Sequence, residues 1–344
     1  MQGCKMAAMW LAVFLGVGPA AADPVADFYR GKQISMIIPS GVGGGYDLYG
    51  RFFARYMGKH IPGNPTFVVR NMPGAGGIVA ANHMSTIAPR DGLTIAIHQN
   101  TITLNQLTRS TAVKFDVREL GWLGNASTAS SICALSGPRK DMPVEGFFKE
   151  EVVVGASSGS VTIVPTLMNS LAGTKFKVVS GYKSTSNVTL AMESGELSGI
   201  CGWSWDGARV NAKDMLARGV AKVRLDIAIQ PQDELVKMGV PFFLNFVPEG
   251  ENKVVLNLLL STQAYNRPFS TTPGVPAERL VALRKAFEAT TKDPEVQAEA
   301  ERLGLDVTYM APEQIQKLFS LALDAPAHIQ ERAANELKAA GFGG

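Results

Sequence analysis

The chain has 344 residues, 46% of them hydrophobic, with 33 Lys and Arg against 30 Asp and Glu. That length is enough for two cores of ordinary size. Charge is nearly balanced and no block of five or six like charges occurs, which argues against nucleic acid or an anionic membrane surface as partner.

Residues 1–22 read as a secretory signal. Lys5 supplies the positive start, Met6 to Val17 the short apolar core, and Ala20-Ala21-Ala22 the small-residue cleavage site. The apolar core falls short of the roughly 20 residues a membrane span needs. The expectation is a soluble, periplasmic protein cut near Ala22. Cys4 would leave with the signal, and Cys133 and Cys201 would remain, each inside a strand-like run. In an oxidising compartment a disulfide between them is one reading. Two buried free thiols are the other.

Ile34–Ile38 is an apolar strand that runs into Pro39-Ser40-Gly41-Val42-Gly43-Gly44-Gly45-Tyr46-Asp47. Leu48, Phe52, Phe53, Tyr56 and Met57 then recur at helix spacing. A strand, a glycine turn and a helix start leave free N–H groups at the positive end of a helix dipole. Such a turn holds an anion by backbone rather than by a cationic side chain. Thr66–Arg70 (strand), Ile78–Ile87 (helix) and Leu93–His98 (strand) complete a β-α-β series. A second series follows a small, polar stretch at 121–130: Val152–Ala156, Val161–Ala172, Lys177–Ser180, Asn187–Glu193 and Gly199–Gly202. Val254–Ser261 is predicted as one more buried strand, and the chain is helical after Pro273. The class is α/β, with parallel sheets. Gly155-Ala156-Ser157-Ser158-Gly159-Ser160 answers the first glycine turn, so two strand ends are expected to face one ligand.

Several pieces, in order, resemble the extracytoplasmic solute receptors of tripartite tricarboxylate transporters, the Bug family. They are Pro39…Gly43-Gly44…Asp47…Arg51, Asn71-Met72-Pro73-Gly74-Ala75-Gly76-Gly77, Pro89-Arg90-Asp91-Gly92, Gly181-Tyr182-Lys183, Ser194-Gly195-Glu196-Leu197, Pro273-Gly274-Val275-Pro276 and Asp293-Pro294-Glu295-Val296. The resemblance implies a type II periplasmic binding protein: two α/β lobes that close on a carboxylate, held largely by backbone amides. Residues 23–126 and 260–344 are expected to form one lobe and 127–259 the other. The implied partners are a small organic carboxylate and a membrane permease. The protein is expected to be a monomer, to need no cofactor and to perform no chemistry. Val42, Gly45-Tyr46, Lys183-Ser184 and the stretch Cys201 to Asp206 depart from the common pattern of the family.

The expected ligand set is Val42, Gly43, Gly44, Tyr46, Asp47, Asn100, Ser157, Ser158, Ser160, Tyr182, Trp203 and Asp206. Asp47 also reads as a helix cap, and Ser160 likewise. Trp203 and Trp205 read either as core or, at strand period, as one aromatic face. The four histidines show no metal-ligand spacing. A rival reading is an exported serine hydrolase using Ser157, since Gly155–Gly159 is a literal G-x-S-x-G between strand and helix. The single histidine beyond it, His328, sits in a helical pattern. A dinucleotide enzyme fits worse, because Tyr46 stands where the last glycine belongs. A sensor of the same fold is a further alternative to a transport receptor.

Overall fold

A computed structural model describes residues 23–342 except 129 and 158. The expected signal segment and Ser158 therefore lie outside the described residues.

Ten strands form two five-stranded sheets. The first sheet has the order β2-β1-β3-β10-β4, built from β1 (Gln33–Ile38), β2 (Thr66–Asn71), β3 (Thr94–Ile97), β4 (Gly121–Asn125) and β10 (Pro268–Thr271). The second has the order β7-β6-β8-β5-β9, built from β5 (Ser131–Ser136), β6 (Val152–Ala156), β7 (Phe176–Ser180), β8 (Gly199–Ser204) and β9 (Ala221–Ile227). Each sheet pairs three strands in parallel, β2-β1-β3 and β7-β6-β8. Each then adds two strands through antiparallel pairings, so that β10 in the first and β5 in the second run against their sheets, and β4 and β9 beyond them run with the parallel strands again. The plan is thus repeated without a repeat in the sequence. The apolar runs are explained by it: a parallel strand with helices on both faces is buried on both. This is the two-lobed type II binding-protein architecture.

The first core includes a cluster of rings, Phe53 stacked on Phe287 at 5.1 Å and tilted against Phe269 at 4.8 Å. Val152, Val154, Leu167, Met168 and Phe147 fill part of the second. Cys133 and Cys201 face each other there across β5 and β8. Their Cα atoms are 4.0 Å apart, and their buried sulfurs are in bonding contact.

One expectation is corrected, and one pair of alternatives is decided. Val254–Ser261 is not a strand: Glu251–Leu260 is a helix. It packs against the helices Ser160–Ala172 and Ala327–Ala339 and buries Val255, Leu256, Leu258, Leu259 and Leu260, while Glu251, Asn252 and Val254 stay exposed. The run 254–260 is apolar but for Asn257, and so short a run carries no period that would tell a buried strand from a buried helix. Trp203 and Trp205 do not share a strand face either. β8 stops at Ser204, Trp205 begins the helix Trp205–Asn211, and both indoles are buried in apolar packing. No helix among the described residues is long and apolar enough to cross a membrane.

Candidate ligand-binding cleft

A cleft of about 450 Å³ lies between the sheets. Its walls come from the carboxyl ends of the six parallel strands. Pro39 to Val42 follow β1, Pro73 to Gly76 follow β2, and Gln99 and Asn100 follow β3. Ser157 and Gly159 to Val161 follow β6, Lys183 to Thr185 follow β7, and Gly202 to Ser204 end β8. Open α/β sheets bind ligands at such ends, where helix N-termini converge. The chain's return from the second sheet to the first adds Gln263, Asn266 and Arg267. A wider groove of about 980 Å³ on the surface, beside Val254 and Leu321, collects none of these strand ends.

The glycine turn is braced from within. Gly43 takes a positive φ of 89° and donates its N–H to Asp47 Oδ2 at 2.9 Å. Asp47 Oδ1 accepts from Arg51 Nε at 2.9 Å and Asn71 Nδ2 at 2.8 Å. Burial pushes the Asp47 carboxyl up, but these donors outweigh it and hold the group below its ordinary range. The Gly43 amide is thereby used inside the turn. The amides of Gly44, Gly45 and Tyr46 open the helix Gly45–Tyr56, which offers its first turn no carbonyl of its own. Val42 stands at the cleft edge, 77% exposed.

Tyr46 is fixed as a wall. Its hydroxyl accepts the Asn100 N–H at 3.0 Å and donates to Asn100 Oδ1 at 3.2 Å. Ser160 Oγ reaches the same Oδ1 from the second sheet at 3.5 Å. Burial raises the Tyr46 phenol, so it stays protonated.

The group that sequence reading missed is Arg267. It lies between the rings of Tyr46 and Tyr49, at 4.6 and 4.8 Å from their centroids. Its Nη2 pairs with Asp206 Oδ2 at 3.2 Å, and both side chains are almost wholly buried. Asp206 Oδ1 accepts the Gly207 N–H at 2.8 Å and Asn266 Nδ2 at 3.4 Å. Burial raises the Asp206 carboxyl, yet Arg267 and the donors around it leave it net lowered. Burial likewise opposes the Arg267 charge, and Asp206 more than restores it. Nothing local marks the pair, since 61 residues separate its members.

Of the expected set, Val42, Gly44, Tyr46, Asn100, Ser157, Ser160 and Trp203 line the cleft. Gly43, Asp47 and Asp206 stand behind its wall, and Tyr182 turns away to donate to Glu196 Oε1 at 2.6 Å. No histidine lines the cleft among the described residues, and His328 is exposed on the helix Ala327–Ala339. Ser157 therefore has no imidazole beside it to act as base. No group of three His, Cys, Asp or Glu gathers for a metal among the described residues.

No family model matches the chain. It is 29% identical over 195 residues to the UPF0065 protein of the gbd 5′ region of Cupriavidus necator, covering 54% of this chain and 58% of that one. It is 32% identical over 94 residues to BugT of Bordetella pertussis, covering 27% and 28%. The chain resembles the Bug solute receptors. The aligned stretch spans little more than half the length of the first curated relative and about a quarter of the second. Solved structures extend the likeness to fold over nearly the whole chain. A TctC solute-binding protein from Polaromonas matches with TM-score 0.62 at 17% identity, over 90% of this chain and 99% of that one. An adipate complex from R. palustris gives 0.65 at 16%, over 90% and 97%. A malate-bound MatC from Rhodopseudomonas palustris gives 0.60 at 16%, over 89% and 99%. At these identities the likeness establishes the architecture alone.

Proposed function

We propose that this protein is a periplasmic solute receptor that captures an organic carboxylate in the cleft and presents it to a membrane permease of the tripartite tricarboxylate type. It performs no chemistry. One observation carries the reading: no Asp or Glu lines the cleft among the described residues, whereas Lys183, Arg267 and amide-bearing turns do. Adipate and malate in the fold neighbours support the same ligand class. The ligand sits among the amides of Gly44–Tyr46, opposed by Ser157 and Ser160. Closure of the two lobes about it gives the permease a state to recognise.

The test is calorimetric titration and thermal shift of the processed protein against mono-, di- and tricarboxylates. A ligand at 100 times its Kd stabilises by about 2.7 kcal/mol. Gly44→Val is the informative variant. Gly44 has φ −87° and ψ 170°, open to any residue, and a Cβ there meets no protein atom within 4 Å. Valine should leave the melting temperature within a few degrees and weaken carboxylate binding about tenfold or more by filling ligand space. Unchanged affinity would move the site away from this turn.

A further inference from the structure

The charge inventory of the cleft says more than "anion". Two basic side chains, Arg267 and Lys183, and no acidic one line it among the described residues. They differ in what they already hold. Arg267 is matched by Asp206, whose two oxygens are taken up by Arg267, Gly207 and Asn266. One N–H of Arg267, at Nε, is buried without a partner among the described residues. Lys183 is exposed at the end of β7 and forms no ion pair among the described residues. The glycine turn belongs to the first sheet and Lys183 to the second, so the two positive poles stand on opposite walls.

From this, and resting on the carboxylate reading above, we infer that the cleft selects organic dianions that carry no amino group, with Lys183 as the residue that distinguishes two carboxylates from one. An ammonium on the ligand finds no carboxylate to pair with. Gln99 offers a neutral oxygen, which solvates a cation but does not cancel it. The Tyr46 face is occupied by Arg267, and Trp203, though it reaches the cleft wall, is only 2% exposed, which leaves little ring face for cation–π compensation. A hydroxyl at the same carbon meets no such penalty, because Gln99 and Ser157 line the cleft with no side-chain hydrogen bond among the described residues. A second carboxylate finds Lys183 beside the start of the helix Thr185–Glu193.

The experiment is titration with matched acids of four, five and six carbons: the monocarboxylate, the dicarboxylate, its 2-hydroxy form and its 2-amino form. At the best-fitting length the dicarboxylate should bind about tenfold tighter than the monocarboxylate. The amino acid should bind about a hundredfold more weakly than the hydroxy acid. Lys183→Gln should weaken both the dicarboxylate and the hydroxy acid about three- to tenfold, and the monocarboxylate by less than about twofold. An amino acid that binds as well as its hydroxy counterpart, or equal losses for mono- and dicarboxylate in Lys183→Gln, overturns the inference and leaves the carboxylate reading standing. Failure of every acid of every length to bind the unaltered protein overturns both.

Discussion

Asp206→Asn isolates the energetics of the cleft floor. The substitution keeps shape and removes the charge that faces Arg267 Nη2 at 3.2 Å. At an effective dielectric of 20 the lost attraction is about 5 kcal/mol, and measured breakage of buried pairs clusters at about 3–5 kcal/mol. The Tyr46 and Tyr49 rings continue to face the guanidinium at 4.6 and 4.8 Å and return part of this. A net loss of about 3–4 kcal/mol is expected, out of a total typically near 5–15 kcal/mol. Urea unfolding followed by circular dichroism reads it directly, with the midpoint falling and the slope unchanged. The double variant Asp206→Leu, Arg267→Met removes both charges and should recover most of the loss, because the cost is that of an uncompensated charge rather than of a missing contact. A single variant that loses less than about 1 kcal/mol, or a double variant no more stable than the single, would refute the argument.

Acid should destabilise the protein through His98. Burial drives its imidazole from an ordinary 6.5 down to about 3, with Nε2 against Ser270 Oγ at 2.7 Å. Below pH 6.5 the unfolded chain takes up a proton that the folded one refuses. Stability is therefore complete above that pH and falls by about 1.4 kcal/mol per unit toward pH 3. His98→Gln should remove this slope between pH 6 and 4, and an unchanged melting profile would show that another group sets it. The lowered Asp206 acts in the same direction but in a lower window, below the ordinary carboxylate range. Cys133 and Cys201 are proposed to be a disulfide in the exported protein. Denatured without reductant, it should take up no alkylating agent. Closing a loop of 68 residues should be worth about 2–4 kcal/mol, seen as a fall in melting temperature on reduction. Two alkylated thiols per chain would refute the pairing.

The sheets were legible because the parallel strands are short apolar runs punctuated by glycine and proline, and because the helix after the glycine turn has a clear apolar face. The run 254–260 is ambiguous for the opposite reason: apart from Asn257 it is apolar throughout, and so short a run shows no period that separates strand from helix. β10 is four residues long, begins with Pro268 and looks like loop, although it is an interior strand of the first sheet. The strand–turn–helix geometry of the two turns, on which the proposed anion site rests, is readable from glycine placement. What could not be read was their internal accounting: that Asp47 consumes the Gly43 amide, that Tyr182 turns to Glu196, and that Arg267 meets Asp206. Those are outcomes of packing between segments far apart in the chain, and no local pattern encodes them.

The order of strands has a consequence for how the molecule matures. The second sheet is made from one unbroken run, residues 131–227, and has every partner it needs once that run has left the ribosome. The first sheet does not. β4 reaches β3 only through β10, which arrives some 140 residues later and must insert between them. Long-range closure of this kind is slow relative to local pairing. Refolding should therefore show β5–β9 protected from hydrogen exchange before β4 and β10. Arg267 directly precedes β10, so competence to bind should appear with the last strand rather than with the bulk of the secondary structure.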